Sequence, residues 1–342
     1  MLKDDSSVWG TGGNTFGQLG IDPRDNVWIV NFVEIVSGGV KVVATGGKFS
    51  MILKHDSSVW STGMNAYGQL GDGTIIDKHS FVRVIPAYAE AIAAGAKHSL
   101  VVLQDGSVWA TGYNLYGQLG DGSTTHRSEF VQVIPYGGKV VAAGSEHSMV
   151  LKEDGSVWTT GSGQLGDGFS SLKRSFVQVV SSGANAIAAG SYHSMVLKKD
   201  GVVMATGENV FGQLGDGTTT ARNIFVQVVA RGAQTIAAGH EHSMVQMQDG
   251  SLWATGRNNY GQLGTGSTVS RNVFVQVIQD GVMIVATGDW DTMVLKYDGS
   301  VWGTGRNLRG QLGVGSTISK EIFVRVLALR KCAFWSSSVH DL

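Results

Sequence analysis

The chain has 342 residues, 42% of them hydrophobic, with 49 glycines against 3 prolines, a composition that supports a core and excludes collagen-like and disordered low-complexity classes. Its 26 basic and 27 acidic residues leave a formal charge of −1, so nucleic-acid binding is not expected unless cations gather in a local rim. One cysteine, Cys332, excludes an intrachain disulfide framework, no apolar run approaches the roughly 18 residues of a membrane span, and the start Met1-Leu2-Lys3-Asp4-Asp5 lacks a signal peptide, a reading that favours a soluble intracellular chain off the membrane.

In chain order, the tetrapeptide Gly-Gln-Leu-Gly starts at Gly17, Gly68, Gly117, Gly163, Gly212, Gly261 and Gly310. Successive starts lie 51, 49, 46, 49, 49 and 49 residues apart, so the chain carries seven copies of one repeat of about 49 residues. The first copy has a two-residue insertion near Asp22-Pro23. The fourth lacks three residues, reading Thr160-Gly-Ser-Gly-Gln164, which predicts a notch among the loops there.

The third copy shows the plan. An Ala-rich run over 91–94 leads through Gly95 to His98-Ser99, an apolar run over 100–103 and Asp105-Gly106. Then come Ser107-Val-Trp-Ala-Thr-Gly112, a loop through Asn114 to Gly117, and Phe130-Val-Gln-Val133. β-Branched and aromatic runs bounded by Gly, Asp and Ser predict four short antiparallel strands per copy. Asp-Gly recurs at Asp105, Asp154, Asp200, Asp249 and Asp298, the preference of a tight hairpin needing positive φ; Asp5-Ser6 and Asp56-Ser57 replace it in the first two copies, where looser hairpins are expected. The runs are apolar on both faces, as in radially stacked sheets.

Fold class follows: an all-β, single-domain, seven-bladed β-propeller of four-stranded antiparallel blades over residues 1–342. Laid on the repeat, 335–342 matches 142–149 and 1–5 matches 150–154, with His340 over His147 and Leu342 over Met149. The end of the chain thus runs into its beginning, which predicts one blade shared between the termini.

Three motifs recurring in order, Gly-Gln-Leu-Gly, Trp-Ala-Thr-Gly-x-Asn and Ala-Ala-Gly-x-x-His-Ser, give a chain that resembles the regulator of chromosome condensation (RCC1-like) family of repeat propellers over residues 1 to about 330. The resemblance implies the propeller fold. It implies several activities too, because one fold hosts many functions: guanine-nucleotide exchange, chromatin binding, ultraviolet sensing and protein binding or inhibition. The positions at which the family's photoreceptor carries its sensing tryptophans hold Gly47, Ala96, Ser145, Ser191, His240, Asp289 and Ser338, which argues against light sensing. The exchange factor's wedge insertion and basic N-terminal tail have no counterpart, so exchange on a small GTPase is the alternative rather than the lead.

Most recurring residues read as framework. Histidines 98, 147, 193, 242 and 340 recur at one position, but equivalent atoms of neighbouring blades lie on the order of 10 Å apart, beyond shared coordination at about 2 Å. They are expected to donate hydrogen bonds to loop backbone, and no metal or cofactor is expected. Trp9, Trp60, Trp109, Trp158, Trp253 and Trp302 read as packing between blades. The glutamine of Gly-Gln-Leu-Gly reads as satisfying turn backbone. In each His-Ser pair, adjacent strand residues point to opposite faces, which keeps that serine from that histidine, and no catalytic residue emerges.

Two sets of candidates remain. Lys78, Arg127, Lys173, Arg222, Arg271 and Lys320 recur at one position and form either a ring for an anionic partner or ion pairs with nearby carboxylates such as Asp72, Asp121, Asp167 and Asp216. The second set lies in the Gly-x-x-His and Asn-x-x-Gly-Gln loops, which antiparallel pairing puts at one end of the ring. Lys97, Glu146, Tyr192, Glu241 and Trp290 stand in the first loops, and Tyr113, Tyr116, Phe211, Arg257, Tyr260, Arg306 and Arg309 in the second. These positions vary between copies, and Tyr, Trp and Arg dominate binding energy at interfaces. The expectation is a non-enzymatic interaction module binding a protein through this loop face, with exchange on a small GTPase or a structural place in a larger assembly as alternatives.

Overall fold

A computed structural model describes residues 1–24, 27–327 and 332–333. These residues form seven four-stranded antiparallel sheets and no helix. The third blade has strands Ala89–Ala94, His98–Leu103, Val108–Gly112 and Arg127–Ile134, in that spatial order. The second strand is buried on both faces, because each sheet is covered by a neighbouring blade on either side. The first strands of the second to seventh blades pack against one another in turn.

The core lies between blades. Leu100, Val108 and Ile134 of the third blade cluster with Val141 and Val150 of the fourth, and Trp158 of the fourth packs on that cluster, as Trp60 and Trp302 do at two other joints. The indole Nε1–H of Trp158 donates to Ser156 Oγ at 3.0 Å, which satisfies its one polar atom.

The two hairpins expected to be loose are not. Ser6 and Ser57 adopt φ of 62° and 61°, the region glycine occupies in the other copies. The closing bond is kept as well: Ser57 N–H donates to Lys54 O at 3.0 Å, against 2.8 Å for Gly106 to Leu103. The turn geometry is set by the strands it joins, and the serine bears the strain.

Closure takes the expected register. Cys332–Ala333 pairs antiparallel with Leu2–Lys3, with Leu2 opposite Ala333, completing the sheet with Val8–Gly13 and Trp28–Val36. The sequence overlay puts Leu2 on Leu151 and Ala333 on Val140, and those two residues are partners in the fourth blade. His340 and Leu342, with the rest of 334–342, lie outside the described residues.

Candidate protein-binding face

Each Gly-x-x-His segment is anchored first. His98 Nε2 lies 2.8 Å from Ser148 Oγ of the next blade, and Ser148 donates its own proton to Gln118 O at 2.7 Å. The serine therefore accepts, and the imidazole carries its proton on Nε2. The same link joins His193 to Ser243 and His242 to Thr292, and His147 sits 3.0 Å from Ser194. The expected backbone acceptor is thus replaced by a hydroxyl of the neighbouring blade. Serine and histidine do pair, across the joint rather than within one strand, and the hydroxyl's commitment to a carbonyl leaves it no nucleophilic role. Full burial holds His98, His193 and His242 down to about 3 and His147 to about 4. Asp291, at the histidine position of the seventh blade, is pushed up to about 7 by burial and Asp289, against Arg306.

The second loop is fixed by its asparagine and glutamine. Asn114 Oδ1 accepts from Leu119 N–H at 3.0 Å while its amide donates to Asp121 and the carbonyls of Ser123 and Thr125. Gln118 Oε1 accepts from Tyr116 N–H at 3.1 Å, so the expected role of the glutamine in the turn is what the structure shows. Asp121 also pairs with Arg127 at 2.8 Å, and the same pairing joins Lys78 to Asp72, Lys173 to Asp167 and Arg222 to Asp216. Four of the six recurring cations are therefore neutralised inside their own blades. Thr265 and Val314 replace the aspartate in the last two, and among the described residues Arg271 and Lys320 have no ion pair.

In the second to seventh blades the two loops meet through one backbone bond each. The residue after the third strand donates its N–H to the carbonyl of the residue before the histidine position: Tyr113 to Lys97, Ser162 to Glu146, Glu208 to Tyr192, Arg257 to Glu241 and Arg306 to Trp290, at 2.8 to 2.9 Å. Variable side chains are thereby set in pairs on one face, as expected from the topology.

Two networks result. In the second and third blades, Tyr113 stacks on His126 at 4.8 Å and meets Tyr67 edge-on at 4.9 Å, with Tyr116 at 6.0 Å. Lys97 Nζ lies 5.2 Å from the centroids of both Tyr67 and Tyr113. In the fifth to seventh blades, the Arg257 guanidinium lies 4.5 Å from Phe211 and 4.7 Å from Trp290 and pairs with Glu241 at 2.7 Å. His240 stacks on Trp290 at 4.4 Å, Tyr260 meets it at 5.9 Å, and Arg306 lies 5.3 Å from Tyr260. All are within cation–π or ring-pair range. Tyr192 reaches His240 edge-on at 6.1 Å and is 39% exposed. Arg309, also exposed, leans toward Gly13 of the first blade. Glu146 and Glu208 are raised above the usual carboxylate range, Glu146 by burial against Lys97 and Glu208 by burial and Glu241. Sequence reasoning missed Glu208 and His126; the first stands at the same repeat position as Tyr113, Arg257 and Arg306, which was the signal available.

The family profile of the RCC1-like domain matches residues 5–338. The chain belongs to that family. Human WBSCR16 superposes with a TM-score of 0.84 at 21% identity, covering 94% of each chain. Prp20p of Saccharomyces cerevisiae gives 0.83 at 21%, covering 95% of this chain and 87% of its own, in a structure described together with its binding properties to Gsp1p and histones. The same yeast RCC1, bound to Kap60, gives 0.82 at 20%, covering 95% and 85%. At these identities the likeness is one of fold. No curated protein sequence matches the chain. Among the described residues, no helix of this RCC1-like chain is long and apolar enough to cross a membrane.

Proposed function

We propose that this RCC1-like propeller is a non-enzymatic interaction module that holds a protein partner on its loop face. The observation that carries the reading is the preorganised network around Trp290. Arg257, Phe211, His240, Tyr260 and Glu241 fix one another in place, so little side-chain entropy remains to be lost on docking. Rigid aromatic and arginine anchors of this kind supply most of the energy of protein interfaces. Protein binding by a relative of the same fold, Prp20p with Gsp1p and histones, is consistent with it. Guanine-nucleotide exchange and a structural place in an assembly are favoured by no specific feature of this chain.

The test is affinity capture with quantitative mass spectrometry, comparing wild type with Tyr192→Ala and Trp290→Ala. Partners recovered by wild type are expected to fall about tenfold or more with Trp290→Ala, the loss of one interface anchor. Equal recovery by all three proteins moves the interface off this face.

A further inference from the structure

The loop face repeats one side-chain relation around the ring. The residue after the third strand leans over the ring that precedes Gly-Gln-Leu-Gly in the blade before it. Tyr113 does so on Tyr67 at 4.9 Å, Arg257 on Phe211 at 4.5 Å and Arg306 on Tyr260 at 5.3 Å. Arg257 shows the full set of contacts: Phe211 of the preceding blade on one side, Trp290 of the following blade on the other, and Glu241 of its own blade at 2.7 Å.

Moved back by two blades, those three contact positions are occupied by Tyr116, Tyr192 and Glu146. Two aromatic rings and a glutamate therefore stand where Phe211, Trp290 and Glu241 stand, on the same framework. The backbone bond that sets the arginine is conserved in kind: Ser162 N–H donates to Glu146 O at 2.9 Å, as Arg257 does to Glu241 at 2.8 Å. The position of the arginine itself is held by Ser162, at the three-residue deletion. The small serine side chain leaves the arginine's volume unfilled, and the shortened loop also stands away from the fifth blade: a Cβ on Gly163 would meet nothing within 4 Å, whereas one on Gly212 or Gly261 would strike the fourth strand of the next blade at 2.3 or 2.4 Å. Glu146 has no ion pair within 4 Å among the described residues, and Lys97, the cation that acts on its carboxyl, lies over Tyr67 and Tyr113. Burial raises the Tyr192 hydroxyl above its ordinary value, and Glu146, Glu208, Tyr116 and Glu241 raise it further.

We infer that the notch of the fourth blade receives an arginine side chain of the protein partner, its guanidinium between Tyr116 and Tyr192 and paired with Glu146. This rests on the loop face being the partner-binding surface. A planar guanidinium fits the site better than an ammonium, because it stacks on rings and offers a carboxylate two parallel donors.

The probe is N-acetyl-arginine amide, titrated into the full chain carrying 13C-labelled tyrosine rings, with N-acetyl-citrulline amide as the neutral isostere. Saturable shifts of Tyr116 and Tyr192 are expected with the arginine compound and none with citrulline. Glu146→Gln is expected to weaken binding about tenfold, the loss of one charge-assisted partner. Ser162→Arg, which supplies a guanidinium from within, is expected to abolish the shifts, and Ser57→Gly, at the hairpin end, to leave them unchanged. Equal shifts with citrulline, or shifts that survive Ser162→Arg, overturn the inference. Loss of partner capture with Trp290→Ala, together with no tyrosine shift from the probe, overturns the arginine site alone; tyrosine shifts in a protein whose capture is indifferent to Trp290 overturn the loop-face reading alone.

Discussion

The histidines buried at the joints of the third to sixth blades make the ring sensitive to acid in a definite direction. His98, His147, His193 and His242 are held neutral in the folded state at about 3 to 4 and titrate near 6.5 when unfolded. A folded-state value below the unfolded one means that the stabilisation is complete above about pH 6.5 and is lost as pH falls, by up to about 1.4 kcal/mol per unit per histidine. The melting temperature is therefore expected to drop steeply between pH 6.5 and 5, above the range in which most carboxylates titrate. Asp291, raised to about 7, gains stability as pH falls through the same range and offsets about one histidine, so His193→Phe, the exchange that Phe49 makes in the second blade, should remove about a third of the net slope. A melting temperature flat from pH 7 to pH 5 would show that these imidazoles are not held neutral. The histidines were recognisable in the sequence as framework, but not their partners. The hydroxyl each one meets lies about one repeat away in sequence, 50 residues for His98 and Ser148, and only the closed ring brings the two together.

At the scale of the hairpin and the blade, sequence was most informative where the repeat multiplied the signal. Four strands per copy, the register of Cys332–Ala333 on Leu2–Lys3 and the shared end of the two loop sets all follow from a period of about 49 residues. The reading went astray where one residue was judged by its own preference. Ser6 and Ser57 were expected to loosen their turns, yet the flanking strands impose the same positive φ as at glycine. The strain is local and relievable: Ser57→Gly is expected to raise unfolding free energy by about 0.5 to 1 kcal/mol. Gly106→Ser should cost more than that gains, because its Cβ would also lie 2.7 Å from Gly137 N. Chemical denaturation of the two variants checks the pair; no gain from Ser57→Gly would mean that serine is at ease in the turn. The ion pairs of Lys78, Arg127, Lys173 and Arg222 show a different limit. The period placed these cations in a ring, but whether each met its aspartate depended on the Asn-anchored loop that turns Asp121 and its equivalents inward.

For the molecule as a whole, one end of the ring differs from the other in kind. The hairpin end repeats the same aspartate and serine nearly seven times over, while the loop end sets Phe211, Glu241 and Trp290 in fixed contact with Arg257 on a common backbone scaffold. The location of the variable residues could be read from the sequence. Their coupling into networks could not, because Arg257 touches rings from the blades on both sides of its own. Binding through that end is the central claim, and amide hydrogen exchange of the chain alone and with its captured partner tests it most directly. Protection is expected at the Gly-x-x-His and Gly-Gln-Leu-Gly loops of the fourth to seventh blades, with the Asp-Gly hairpins unchanged. Protection confined to the hairpins would contradict it.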